Sequence, residues 1–482
     1  MSESELSLKS VYEEFLKFED EYSLFNAKID RVFFWERVRF AVFRAITIKL
    51  AEGKIKRKKR IERKKEKKFV FYLRKIRNYL KVFFQFNLNP LLAKKKTILV
   101  LSSSRRKLKE NGKWWDIYTD HIINKMIYSS ISIEGDFEFN FRTPAETKNL
   151  RYFTYIDLMV DLKRYLKISK VNLTDGEIIY LRKISQAFNS KFNRSIDLVE
   201  IVHNNLVVRK RSLPYYRKIL KKVQPQLVLI VCSYGKENFI EACKEKEIPV
   251  VEIQHGVVTR YHVGYSFEEY RTKKTFPDYI FAFGDYWKES ITYPIEEDKI
   301  FSIGFPDLEI SRKKYEEIEK KKQIVFISQP WVGIHLSKVA VELNEVENLA
   351  YKVIYKLHPN EVNTWKEEFP WLLKSGIEVV NHEGKGLYEL FAESEIQVGV
   401  NSTALFEGLF FGVKTLLFDY FGIDYMEDLL KSKVAEKFSD VDDLVKKIEK
   451  IKVTEFDTDY FFRSNSLKNV ATRLKKMIED KD

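Results

Sequence analysis

Ten short apolar runs, separated by stretches long enough for a helix, constrain this chain more than any other feature. They are Thr97–Ser102, Gln226–Cys232, Val250–Gln254, Tyr279–Phe283 and Ile300–Ile303, then Gln323–Ser328, Lys352–Leu357, Ile377–Val380, Ile396–Val400 and Lys414–Phe418. Each is apolar on both faces, as the strands of a parallel sheet covered by helices on both sides must be. Two consecutive groups of this kind predict an α/β chain with two doubly wound, Rossmann-like domains. Ligands of such sheets sit outside the carboxyl ends of the strands. Two domains of this sort facing each other make the cleft between them the expected site.

The boundaries follow from the same rhythm. Residues 1–96 read as a helical, basic extension, 97–305 as the first α/β domain, 306–459 as the second, and 460–482 as a closing helix. The aromatic content, 15% of the chain, is ample for large cores and excludes a mainly disordered protein.

Charge is concentrated in one place. The net charge is +15, and residues 54–96 alone carry about +16, so the remaining chain is nearly neutral. That pattern argues for one local anionic partner and against a broad nucleic-acid-binding face. After the basic run Lys54–Lys68, the stretch Phe69–Phe84 has the period of an amphipathic helix. Phe69, Tyr72, Leu73, Ile76, Tyr79, Leu80 and Phe83 share one face, and Arg74, Arg77 and Lys81 share the other. This is the pattern of a segment lying on an anionic membrane surface. The alternatives are a helix packed on the protein beside a solvated linker, or a nucleic-acid contact. No uncharged apolar stretch reaches the 18 residues that a spanning helix needs. With two cysteines, no CxxC pair and no signal-like start, the chain reads as cytoplasmic.

Three segments at predicted strand ends carry the residues suited to chemistry. In Val250–Tyr265 (VVEIQHGVVTRYHVGY), His255 follows a strand and precedes Gly256, which permits close approach of a ligand. A neutral imidazole there can take a proton from an attacking hydroxyl. His262 is a weaker candidate, and Glu252, on a regular strand, faces away from His255. In Tyr355–Glu361 (YKLHPNE), Lys356 and His358 end another strand and can donate to phosphate oxygens. In Val398–Gly408 (VGVNSTALFEG), Ser402 and Thr403 open a helix whose free N–H groups favour an anion, and Glu407 lies a turn further on, able to accept from ribose hydroxyls. Ordinary packing of His255, a surface turn at His358 and simple N-capping by Ser402 are the bland readings of the same residues. Two further strand ends place Arg105 and Asp116, in Leu101–Asp120, and Gln329, in Ser328–Trp331, at the cleft as candidate substrate contacts. Several other chemistries lack their residues. The sequence has no GxxxxGK[ST] loop, HExxH, GxSxG or metal-spaced histidines, which favours a metal-independent mechanism.

The order of these motifs resembles the GT-B glycosyltransferase-like enzymes of bacterial surface polymers. The sequence runs Gln254-His255-Gly256, then Gly304-Phe305-Pro306-Asp307, then Lys356-x-His358-Pro359, then Ser402-Thr403 with Glu407 four on. It is similar in this respect to CDP-glycerol glycerophosphotransferases, bacterial polysialyltransferases and capsule polysaccharide transferases, over about residues 225–420. The resemblance implies an acceptor domain followed by a nucleotide-donor domain. It implies His255 as the catalytic base, and His358 with Ser402 and Thr403 at the donor phosphates. It also implies a glycosyltransferase that inverts configuration and extends a lipid-linked or surface polysaccharide at the inner face of the cell membrane. The donor is then a nucleotide-activated substrate, with cytidine favoured, and no separate cofactor is called for. A polyol-phosphate transferase of the CDP-glycerol type is the alternative. The third motif, Val400-Asn401-Ser402-Thr403, departs from the acidic residue and Ser-Ser pair of the glycerophosphotransferases, which leaves the donor open.

Overall fold

The computed structural model describes residues 7–51, 73–82, 84–137, 140–166, 168, 170–381, 384–451 and 456–479. The first sheet contains β1 (Ile98–Leu101), β2 (Ser130–Glu134), β3 (Leu150–Tyr152), β4 (Leu227–Val231), β5 (Val250–Ile253), β6 (Tyr279–Ala282) and β7 (Ile300–Ser302). Their order across the sheet is β7-β6-β5-β4-β1-β2-β3. The second sheet contains β8 (Lys321–Ile327), β9 (Lys352–Lys356), β10 (Glu378–Val380), β11 (Ser394–Gly399), β12 (Lys414–Phe418) and β13 (Ala435–Phe438), in the order β10-β9-β8-β11-β12-β13. Every neighbouring pair in both sheets is parallel.

Each sheet starts at its centre, winds to one edge, then returns to the centre and winds to the other. The reversals fall between β1 and β4 and between β8 and β11, where a crevice opens beyond the strand ends. All ten apolar runs are strands. They are apolar throughout because both sheet faces are covered, as at β4, where all five residues are buried. The pair of doubly wound sheets facing one cleft is the expected GT-B architecture. A shared core joins them, running from Val258, Phe283 and Phe305 to Ile327, Leu405 and Phe406.

The amino-terminal segment is part of this body. Helices α1 (Leu8–Glu21) and α2 (Trp35–Ala51) share a core with α4 (Asp175–Phe192) and α5 (Leu198–Val223), through Phe15, Trp35, Val42, Phe188 and Val202. That core also takes Tyr261 and Val263 from the loop after His255 and Tyr425 from the second domain. The Leu8 amide donates to Asp424 at 3.2 Å, so α1 spans both domains. Residues 8–47 therefore pack into the folded body of the two domains. The poor amphipathicity of α2 reflects burial on several sides, with Arg39 paired to Glu19 at 2.6 Å and Arg37 to Glu241 at 3.3 Å.

The run Lys54–Lys68 and residues Phe69, Tyr72 and Phe83 lie outside the described residues. Residues 73–82 are helical and sit beside α3 (Thr154–Tyr165). Lys75 Nζ and Tyr79 Oη both reach Asp161, at 2.5 and 2.6 Å. Tyr79 thus turns inward, leaving Leu73, Ile76 and Leu80 exposed. The closing helix is shorter than 460–482. It is α7 (Ser466–Glu479), preceded by a break at Asn465 with a φ of 60°, and it returns to pack on the first sheet through Val470, Leu474 and Ile478. No helix among the described residues is long and apolar enough to cross a membrane.

Candidate functional site

Both sheet reversals carry the motif residues. After β5 the backbone turns at Gln254, whose side chain holds the turn from both ends. Its Nε2 donates to the Gly256 carbonyl at 2.8 Å, and its Oε1 accepts from the Phe283 amide at 2.8 Å. His255 projects from this turn. Its Nε2 lies 3.1 Å from Tyr234 Oη, at the end of β4, and its carbonyl accepts from Tyr118 Oη at 2.8 Å. Burial, aided by His262, Lys236 and Arg105, pushes its pKa down to about 3, so the ring is neutral at ordinary pH. Because the strand ends at Ile253, Glu252 does not face away. Its Oε1 lies 4.0 Å from His255 Nδ1. His262 is half-buried, stacked on Phe40 with ring centroids 5.1 Å apart.

The second domain brings its motifs to the opposite wall. The His358 amide donates to Glu361 Oε2 at 2.9 Å, and His358 Nδ1 accepts from the Asn360 amide at 3.1 Å. Burial and Arg105 hold this ring neutral too, with a pKa near 4. A neutral imidazole that accepts at Nδ1 carries its proton on Nε2, so His358 presents a donor. Lys356 Nζ donates to the Asn381 carbonyl at 2.5 Å, and burial with the nearby Lys107 lowers its pKa to about 8. Ser402 Oγ caps α6 (Thr403–Phe410), accepting from the Ala404 amide at 3.3 Å. Thr403 Oγ accepts from the Val257 amide at 3.0 Å. A Cβ on Gly256 would stand 3.2 Å from that same hydroxyl, which is why the turn has a glycine there.

Arg105 lies at the reversal of the first sheet. It is exposed, forms no ion pair among the described residues, and its charge bears on both His255 and His358. Lys107 follows, 3.5 Å from Asp307 and over the Tyr388 ring at 4.8 Å. Glu407 is enclosed by the same groups. Burial and Asp307 raise its pKa and Lys107 opposes them, leaving it near 7. It therefore faces Tyr388, Lys107 and Asp307 in this form of the cleft. Gln329 spans the second reversal. Its Nε2 donates to Asn401 Oδ1 at 3.0 Å and its Oε1 accepts from the Asn401 amide at 3.3 Å.

Asp116 is a loop anchor. It is fully buried, and its oxygens accept from the Ser103 and Tyr118 amides and from Thr119 Oγ, each at 3.0 Å. It meets nothing in the cleft directly. Beside it Arg106, also buried, bridges Glu134 at 2.9 Å and Asp120 at 3.3 Å. Among the described residues no group of three or more His, Cys, Asp or Glu side chains is placed to hold a metal ion.

Sequence reasoning missed Tyr234, Lys236 and Glu361. Glu361 is 2% exposed and holds both Ser328 Oγ, at 3.0 Å, and the His358 amide. Its place three residues after His358 in YKLHPNE was a usable signal. Tyr234 and Lys236 follow an apolar strand, where reversal-point residues belong.

No protein-family model and no curated protein matches the sequence. Among solved structures, the UDP-GlcNAc 2-epimerase from Methanocaldococcus jannaschii is similar at 12% identity and a TM-score of 0.44, covering 78% of this chain and 99% of that one. The UDP-GlcNAc 2-epimerase from Neisseria meningitidis, bound to UDP-GlcNAc, is similar at 13% identity and a TM-score of 0.45, over 79% of this chain and 99% of that one. The wall teichoic acid polymerase TagF is similar at 13% identity and a TM-score of 0.42, over 86% of this chain and 99% of that one.

Proposed function

We propose that this protein is a metal-independent glycosyltransferase. In this reading it moves a sugar from a nucleotide-activated donor to a hydroxyl of a lipid-linked or surface polysaccharide at the inner face of the cell membrane. The observation that carries the reading is the presence of His255 and His358 on opposite walls of one cleft, both neutral, with Arg105, which forms no ion pair among the described residues, acting on both rings.

The roles follow from the geometry. His255 takes the proton of the acceptor hydroxyl. His358 Nε2–H, Lys356, Arg105 and the start of α6 receive the departing nucleotide phosphate. Three cations, Arg105, Lys107 and Lys356, gather in this region, which supports charge neutralisation without a metal. An imidazole with a pKa near 3 is a weak base in the empty cleft. A diphosphate beside Arg105 offsets that cation and raises the ring's basicity toward the working range.

Membrane attachment is supported by the helix at residues 73–82. Leu73, Ile76 and Leu80 are each about half exposed, with Arg74 and Lys81 exposed beside them. Apolar side chains that enter the headgroup boundary, flanked by basic ones, suit an anionic leaflet.

The test is a thermal-shift screen of the purified protein against CMP, CDP, UDP, GDP and ADP, with EDTA and then with Mg²⁺. A ligand of the folded state raises the melting temperature by mass action, without knowledge of the acceptor. We expect a nucleotide-specific shift that survives EDTA and is lost in His358→Ala. No shift with any nucleotide, in folded protein, would remove the transferase reading. A donor screen with CDP-glycerol against CMP- and UDP-sugars then separates a polyol-phosphate transferase from a sugar transferase.

A further inference from the structure

Two buried polar atoms beneath the His255 turn have no partner. They are Glu252 Oε2 and His255 Nδ1, and Glu252 Oε1 lies 4.0 Å from that nitrogen. Buried polar atoms in folded proteins are almost always paired, and a small shift of the imidazole would bring Nδ1 into hydrogen-bond range of the Glu252 carboxyl.

Glu252 is well fixed for such a role. It is 1% exposed, and its Oε1 accepts from the Ser233 amide at 3.1 Å and from the Tyr265 hydroxyl. On the other side of the ring, His255 Nε2 faces Tyr234 Oη at 3.1 Å. Burial raises the pKa of Tyr234 far above neutrality, so its hydroxyl keeps its proton and can donate. A neutral imidazole carries one ring proton. If Nε2 accepts from Tyr234, that proton is on Nδ1 and points at Glu252. Burial above all, with His262, Lys236 and Arg105 adding to it, keeps the ring in the neutral form.

Resting on the reading of His255 as the proton acceptor, we propose that Glu252 is a positioning residue that holds His255 in its Nδ1–H tautomer and leaves the Nε2 lone pair facing the acceptor hydroxyl. In the structure that lone pair faces Tyr234 Oη at 3.1 Å, and the acceptor hydroxyl must take over that contact. In the transfer, the acceptor oxygen forms its bond to the donor group as its proton passes to Nε2. The bond to the nucleotide phosphate breaks and its electron pair leaves on the phosphate oxygen. The imidazolium so formed has the Glu252 carboxyl at Nδ1. The arrangement uses a buried carboxyl as an orienting group, the role such a group plays wherever an imidazole must keep one tautomer.

The experiment is ring-nitrogen NMR on the full chain labelled with ¹⁵N-histidine, near neutral pH, with His255 assigned from the signal absent in His255→Gln. This readout needs neither donor nor acceptor, so it stands or falls apart from the nucleotide screen. We expect His255 protonated at Nδ1 and unprotonated at Nε2 in the unaltered protein. In Glu252→Gln the tautomer ratio should move toward Nε2–H by about fivefold or more, the effect of losing one ordinary hydrogen bond. Glu252→Asp should largely restore it. A wild-type ring protonated at Nε2, or a ratio unmoved in Glu252→Gln, overturns the proposal. Should Glu252→Gln fail to fold, the wild-type spectrum decides alone.

Discussion

The Val257 amide donates to the Thr403 hydroxyl at 3.0 Å, joining the turn that carries His255 directly to the helix start that carries the candidate phosphate hydroxyls. The Thr403 hydroxyl only accepts in this bond, so its own O–H proton stays available to a donor phosphate. The contact between the domains and a contact to the ligand can therefore coexist.

Gly256→Ala tests that junction. The added Cβ would stand 3.2 Å from Thr403 Oγ, so the two walls must part by a few tenths of an ångström. We expect little change in melting temperature, nucleotide binding weakened by about 1 kcal/mol, and non-additive effects on melting temperature in the Gly256→Ala/Thr403→Ala pair. Residues in contact couple by about 0.5–3 kcal/mol in such cycles. Additive effects of the two substitutions would argue against the contact.

Arg105→Ala should leave stability unchanged, because the side chain is exposed and forms no ion pair among the described residues. Nucleotide diphosphate affinity should fall about tenfold or more, in keeping with loss of a charge-assisted hydrogen bond of ~1.5–3 kcal/mol. Calorimetric titration reads both quantities. An unchanged affinity would move Arg105 out of the donor site.

His255 makes a definite pH prediction. Its folded pKa, near 3, lies below the ordinary 6.5, so the unfolded chain binds more protons between those values. Stability from this group is full above pH 6.5 and is lost as pH falls toward 3. The stability gap between wild type and His255→Gln should therefore shift against wild type by up to about 1.4 kcal/mol per pH unit below 6.5. Denaturant melts at neutral and mildly acidic pH measure it. A gap independent of pH would mean the ring is more solvated than the structure has it.

Leu73→Asp with Ile76→Asp should abolish flotation with vesicles rich in anionic lipid and leave the melting temperature within about 2 °C. Both side chains are roughly half exposed, and exposed substitutions usually change stability by less than about 0.5 kcal/mol. Wild-type protein that fails to float would sink the membrane assignment itself.

Much of the fold was legible because buried parallel strands write themselves as unbroken apolar runs. The strands that escaped are the ones that do not. Ser130–Glu134 alternates polar residues and ends in Glu134, which the buried Arg106 neutralises. Leu150–Tyr152 has only three residues, and Ala435–Phe438 is an edge strand with Glu436 and Lys437 exposed. The candidate site divides in the same way. His255, His358, Ser402 and Thr403 stand at strand ends, which a linear reading can find. Glu252, Tyr234 and Glu361 matter only through turns that bring them beside a histidine. Asp116 looked available because its loop is polar, yet it accepts from that loop's own Ser103 and Tyr118 amides and Thr119 hydroxyl.

The bridge made by α1 has a mechanical consequence. Its start is tied to Asp424 of the second domain, while α2 grips the loop after His255 through Arg39 and the Val263 and Ser266 carbonyls. Tyr261 on that loop reaches Glu427 at 3.1 Å, close to the same place. These links bind the two lobes to each other along one side, like the spine of a book, through a helix that contributes no residue to the candidate site.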